Sequence, residues 1–200
     1  MTTEKKQIDF KDLLEEKRKK LIEELKFEGL TVRFVDRSEF RKLIDYNYSR
    51  VFGSSMTNYT PTEAEIDRAT PIWTQYQNLH TDYLILSNTK GDYVGHFSGE
   101  TEDHNTFYLR NAGILPDWRK KKIASRFVDA YLKYLHNLGY SRVTSQHHGT
   151  NNAVLIMMLK LGFHICGVET REEWGVLVKC VKLLAPDREP IFKSVTMGNR

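Results

Sequence analysis

The sequence is poor in cysteine, in proline and in long apolar runs. Its two cysteines, Cys166 and Cys180, supply no disulfide framework and no Cys-x-x-Cys metal pair, so no metal is expected. Both lie in apolar, strand-like surroundings and are expected in the core. No stretch approaches the roughly 18 apolar residues that suggest a membrane-spanning helix. The opening residues, MTTEKKQIDF, hold no apolar segment of signal-peptide length. A cytoplasmic protein with no membrane partner is therefore expected. Charge of one sign is not dominant either. Against 26 Asp and Glu stand 30 Lys and Arg, a formal +4 that does not by itself imply nucleic acid. No low-complexity tract or internal repeat is present, and 12% aromatic residues argue against a disordered chain. A length of 200 residues suffices for one well-buried core.

What is present is a clear alternation of helical and strand periods. Asp9 is placed to cap a helix with apolar positions Phe10, Leu13, Leu14, Leu21, Ile22 and Leu25, stopped by Gly29. LTVRFV (30–35) reads as a strand, and Ser38 is placed to cap a helix through Phe52. Residues 53–82 are irregular, reading equally as a loop over a binding site or as a short helix around Glu63–Ala69 with connectors. Three runs (83–87, 93–100, 106–115) with turns between them predict an antiparallel meander. A long helix follows, with Ile123, Phe127, Ala130, Tyr131, Tyr134, Leu135 and Leu138 on its apolar side and Gly139 after it. Then come a strand (140–147), a helix (151–161) ended by Gly162, and a closing hairpin. The last fifteen or so residues read as a polar, frayed tail. The expected fold class is α/β, a mixed, mostly antiparallel central sheet flanked by helices, with residues 1–29 as an added N-terminal helix, 30–184 as the domain and 185–200 as the tail.

Residues 119–125, RKKKIAS, crowd four cations and a hydroxyl onto the start of the long helix. The first amides of a helix have no intrahelical partner and the dipole there is positive, so this is a place for an anion rather than for lysines alone. The stretch Ile114-Leu115-Pro116-Asp117-Trp118-Arg119-Lys120-Lys121-Lys122-Ile123-Ala124, followed by Asn151 and, eleven and twelve residues later, Gly162-Phe163, resembles the paired motifs of the GNAT superfamily of N-acetyltransferases. The resemblance spans residues 30–184. It implies an acetyl-CoA-dependent enzyme whose diphosphate loop is the backbone of Lys120, Lys121, Lys122, Ile123, Ala124 and Ser125, entered from Arg119. It also implies that the pantetheine arm runs beside Ile114 and Leu115 and that Asn151 contacts the amide arm. Two positions depart from the family pattern. Lys122 replaces a glycine, which is tolerable if that residue is already helical, and Met158 replaces a tyrosine thought to protonate the leaving thiolate.

Chemistry at such a site needs an amine proton removed and a thioester carbonyl polarised. The family's frequent glutamate base maps to Tyr108, a poor base with an unperturbed pKa of about 10 that can orient water or act as an acid. SQHHGTNN (145–152) is the more unusual stretch. Alternation puts Val143, Ser145 and His147 on one face and Thr144, Gln146 and His148 on the other. His147 suits an amine proton through its unperturbed pKa of about 6.5, or it is a hydrogen-bonded histidine fixing the loop. Glu100, Glu102, Asp103 and His104 read as a solvated turn rather than a metal cluster. Glu169, Glu172 and Glu173, with the aromatics Tyr46, Tyr48, Tyr59, Trp73 and Tyr76, are candidates for an acceptor pocket or are plain surface and packing. The expectation is acetyl transfer from acetyl-CoA to a primary amine of a small molecule or peptide, by direct attack in a ternary complex of a monomer or homodimer. A catalytically silent CoA-binding sensor is the alternative. No nucleic-acid partner is expected, because the bases of the first helix alternate with acids.

Overall fold

The computed structural model describes residues 9–53, 62–76, 78–172 and 174–197. The elements run α1 (Phe10–Glu24), β1 (Leu30–Phe34), α2 (Arg37–Phe52), α3 (Glu63–Tyr76), β2 (Thr81–Asn88), β3 (Tyr93–Asp103) and β4 (Thr106–Ile114). They continue with α4 (Ile123–Asn137), β5 (Arg142–His148), α5 (Asn152–Lys160), β6 (His164–Arg171), β7 (Gly175–Leu183) and α6 (Arg188–Met197). One seven-stranded sheet has the order β1-β2-β3-β4-β5-β7-β6. Every neighbouring pair is antiparallel except β4 and β5, which the α4 crossover makes parallel.

Both faces of the sheet are covered. Leu84 and Leu86 face the main core, where Phe97, Phe107 and Val143 meet α1 and α4. Ile85 points the other way, onto Phe40 and Ile44 of α2. That is why β2 reads as an unbroken apolar run. The rings of Phe97 and Phe127 stack with centroids 3.6 Å apart. Burying one such ring is worth roughly 1.5–3 kcal/mol. All seven apolar positions read for α4 are buried. Gly139 follows it at φ 101° and Gly162 follows α5 at φ 80°.

Several boundaries differ from the sequence reading. The α1 cap is Asp9, whose carboxylate accepts from the Lys11 N–H at 2.8 Å, but the helix ends at Glu24. Gly29 serves a tight turn that bridges Phe27 and Leu30. The α2 cap is Asp36, accepting from Glu39 N–H at 2.8 Å, not Ser38. Between 62 and 76 the chain is one helix that continues through Pro71 to Tyr76 with no buried residue; 54–61 and Gln77 lie outside the described residues. Glu100, Glu102 and Asp103 belong to β3. Cys180 is buried, but Cys166 is exposed on the edge strand β6, where the apolar run does not guarantee a covered face. The region read as a frayed tail contains α6, held where Glu189 meets His164 Nε2 at 2.6 Å and Phe192 packs on the His164 ring.

A buried ionic network ties α1 to α4. The Asp82 carboxylate is fully buried and accepts from Tyr131 Oη and Tyr134 Oη at 2.8 Å each and from Arg18 Nε at 3.0 Å. His80 Nε2 lies 3.2 Å from it without hydrogen-bond geometry. Burial alone would raise the Asp82 pKa, but His80 and the Arg18 charge outweigh it and hold the carboxyl below its ordinary value.

Candidate active site at the splayed strands

The β4–β5 ladder is short. It pairs Thr106 with Arg142 through Leu109 with Ser145 and then stops. Arg110 is the cause on the β4 side. Opposite β3 the register jumps from Ser98–Asn111 to Gly99–Leu109, so Arg110 is an extra residue, a β-bulge that bends the strand. Beyond it, β4 stays on β3 through Asn111 and Gly113, while Gln146 to His148 stay on β7. The result is a wedge between two strands whose facing edges are unpaired. Gly113 lets α2 close over the β4 side: a Cβ there would lie 2.3 Å from Val51 Cγ1 and 3.0 Å from Phe52 Cζ.

The chain leaves β4 through a short 3₁₀ turn, Pro116–Trp118, and enters α4 through Lys120–Lys122. Lys120 (φ 61°) and Lys122 (φ 59°, ψ 13°) are both left-handed, and Lys122 is the N-cap of α4. It is therefore not helical, as the sequence reading required. The missing glycine is replaced by a lysine that adopts the glycine's conformation, which costs an L-residue roughly 1–2 kcal/mol. Among the described residues, the backbone N–H groups of Lys120 through Ser125 donate to no protein acceptor; the first bond of the helix is from Arg126 N–H to Lys122 O at 3.1 Å. Six successive unpaired amides around left-handed turns form a concavity for an anion at the positive end of α4.

The side chains of the basic run divide. The Arg119 guanidinium donates to the Ile114 carbonyl at 2.9 Å and to the Val51 carbonyl, fastening the end of β4 to α2. The Leu115 N–H donates to the Val94 carbonyl at 2.9 Å. One backbone group each of Ile114 and Leu115 is thus already engaged. Lys121 Nζ lies 4.6 Å from the Trp118 ring centroid, a cation–π contact. Lys120 and Lys122 make no ion pair among the described residues. Ser125 Oγ donates to the Lys122 carbonyl at 3.1 Å, and Ala124 is partly buried against the core. Asn151 is the N-cap of α5, its side chain accepting from Val154 N–H at 3.4 Å.

His147 and Tyr108 stand on opposite faces of the wedge. His147 Nε2 is 3.0 Å from the buried Ser145 hydroxyl. Burial pushes its imidazole pKa down to about 4. Tyr108 Oη donates to Gln146 Oε1 at 3.2 Å, bridging the strands where the wedge opens. Burial raises its pKa, so it stays protonated. Gln146 Nε2 donates on to Glu169, which also accepts from Arg171 Nε at 2.6 Å. Glu100 pairs with Arg110, and Glu102 pairs with Lys179 at 3.2 Å and accepts from Thr144 Oγ1. Met158 is packed in the core, and no acid occupies its place. His148 and Glu172 are exposed, as are Tyr46, Trp73 and Tyr76; Tyr48 rests on Phe52. Tyr59 and Glu173 lie outside the described residues. Residue patterns did not single out Arg110, Asn111 and His96. A strand ladder that ends early leaves no periodic trace, and a buried histidine on a strand looks like any other alternating residue.

The profile of the acetyltransferase (GNAT) family matches residues 50–163, the stretch holding the wedge and the amide loop. The chain belongs to that family. No curated protein matches it. Solved family structures share the fold at low identity. The ribosomal-protein-S5-alanine acetyltransferase of Vibrio fischeri superposes with a TM-score of 0.60 at 14% identity, over 80% of this chain and 96% of that one. The spermidine N-acetyltransferase of Vibrio cholerae gives 0.58 at 14%, over 86% and 100%. A phosphinothricin acetyltransferase of Sinorhizobium meliloti with acetyl-CoA bound gives 0.55 at 16%, over 78% and 89%. No described helix of this acetyltransferase-family chain is long and apolar enough to cross a membrane.

Proposed function

We propose that this protein transfers an acetyl group from acetyl-CoA to a primary amine of a small molecule or peptide, by direct attack in a ternary complex. The observation that carries the reading is the run of six unpaired amides from Lys120 to Ser125 at the mouth of an open strand wedge. These amides would hold the diphosphate, with Lys120 and Lys122 adding charge. The arm would lie along the unpaired edge of β4 upstream of Ile114 and Leu115, with Asn151 at the start of α5 as its other contact. In the reaction the amine nitrogen bonds to the carbonyl carbon, the C–S bond breaks, the thiolate gains a proton and the nitrogen loses one. Tyr108, protonated at neutral pH, would give a proton. His147, neutral there, would accept one as a weak base.

Calorimetry with CoA and acetyl-CoA, with thiol release over a panel of amines, tests this. The expected result is binding by the wild type and a loss of affinity of at least tenfold in Ala124→Glu, whose carboxylate meets the phosphates, with an unchanged fold. Unchanged affinity in that variant would contradict the amide-loop assignment. A CoA-binding protein without turnover is the second reading, favoured by Met158 sitting in the core. Tight CoA binding with no thiol release across the panel would select it.

A further inference from the structure

One titratable group lies under the wedge and has no part in the scheme above. His96 of β3 is fully buried, edge-on to Phe40 at 5.8 Å and to Phe52 at 5.9 Å. Its Nδ1 contacts the Tyr93 hydroxyl, and its Nε2 lies 3.2 Å from Asn111 Oδ1. A neutral imidazole has one donor and one acceptor. The carboxamide oxygen can only accept, so Nε2 carries the hydrogen. Nδ1 then accepts, and Tyr93 donates. With Oδ1 facing the ring, the proton order along this chain runs from Tyr93 to Asn111.

With Oδ1 turned to His96, the Asn111 amide nitrogen sits on the other branch of the carboxamide, with one N–H bond pointing directly away from the imidazole. Among the described residues Nδ2 has no hydrogen-bond partner, and it is not a buried unsatisfied atom. It therefore faces solvent. Asn111 is the first residue after the Arg110 bulge, on the stretch of β4 released from β5. Its backbone carbonyl is steadied by Ser98 Oγ at 3.4 Å. Two residues on, Gly113 brings α2 down beside His96: a Cβ there would lie 3.0 Å from His96 Cε1. The packing holds the imidazole in place beside Asn111.

We infer that Asn111 presents its amide N–H groups to a carbonyl oxygen of the bound substrates, and that His96 and Tyr93 are positioning residues that fix this orientation. The inference rests on the acetyl-transfer reading for the identity of the ligand, but the internal geometry stands apart from it. The shared chemistry is an oxygen acceptor at the wedge. It belongs either to the acyl thioester or to the amine substrate's own carbonyl.

Two measurements test it. Nitrogen-15 spectra of the imidazole should show His96 as the Nε2–H tautomer; the Nδ1–H tautomer would overturn the proton order and the proposal with it. Binding of acetyl-CoA is then compared with that of S-ethyl-CoA, which lacks the carbonyl. Asn111→Ala should narrow the preference for acetyl-CoA by about three- to tenfold, the worth of one uncharged hydrogen bond. Asn111→Asp, which can still accept from His96 but has no outward donor, should narrow it as much. His96→Phe should act in the same direction, and Tyr93→Phe is the milder variant if His96→Phe does not fold. If the preference is unchanged but the acceptor KM rises by a similar factor in both Asn111 variants, the oxygen is the acceptor's. If neither changes, Asn111 donates to no substrate and the proposal fails. A wild-type protein that binds no CoA would instead remove the acetyl-transfer reading, with the tautomer measurement still deciding the proton order.

Discussion

Lys122 holds a backbone conformation that glycine adopts without strain, and it does so at the N-cap of the helix that aims its amides outward. Lys122→Gly should relieve roughly 1 kcal/mol of backbone strain, after allowing for the extra chain entropy that glycine loses. A rise in the urea midpoint at constant slope is the expected outcome. A lowered midpoint would mean that the lysine side chain makes a stabilising contact outweighing the strain. The left-handed turn was not legible in the sequence, because a lysine carries no mark of positive φ. The run of free amides was legible from the strand–proline–helix order alone. His147 was legible as an unusual polar residue on a core-facing position, but its basicity was not. With a pKa of about 4 it is neutral across pH 6–8. His147→Ala should lower kcat by about a hundredfold, the low end for a general base, with acetyl-CoA affinity unchanged, and His147 should add no ionisation to the kcat profile between pH 6 and 8. Equal turnover in wild type and variant would make it a structural residue.

At the level of elements, the site depends on where one ladder ends. Periodicity located β4 and β5 and could not tell that they part after Leu109 and Ser145, because a bulge changes pairing and leaves the residue pattern almost intact. The start of α2 was misplaced for a related reason. Both Asp36 and Ser38 are good caps, and only the bond to Glu39 N–H decides between them. α3 passes through Pro71, which removes a donor and would ordinarily end a helix. The contact of α2 with β4 closes one side of the wedge. Gly113→Ala forces Val51 and Phe52 away from the strand and should cost about 1–3 kcal/mol, read from chemical denaturation. A neutral substitution would mean that α2 yields freely and does not form one wall of the wedge.

For the molecule as a whole, the mixed sheet, the family and the order of elements apart from α3 and α6 were readable from the sequence, since each rests on patterns longer than a single turn. The buried polar groups were not readable, and they set the response to pH. His96 and His147 both have pKa values pushed down to about 4 by burial, while the unfolded chain takes up protons near the ordinary value of about 6.5. Between those limits the unfolded state binds more protons, so stability falls as pH drops from about 6.5 to 4 and is level above that window. Together the two imidazoles imply a loss on the order of 5–7 kcal/mol across that window. Asp82, whose pKa is depressed, adds stability that is present above its unfolded value of about 3.9 and is lost as pH falls further through its folded value. Denaturation midpoints flat from pH 8 to 4.5 would contradict this burial of neutral histidines.

The most direct test of the central claim is an amide-resolved nitrogen-15 titration of the protein with CoA. The largest shifts should fall on the N–H groups of Lys120 through Ser125, with smaller ones along Arg110–Gly113. Shifts confined to other surfaces, with those six amides unmoved at saturation, would contradict the diphosphate loop and the activity built on it.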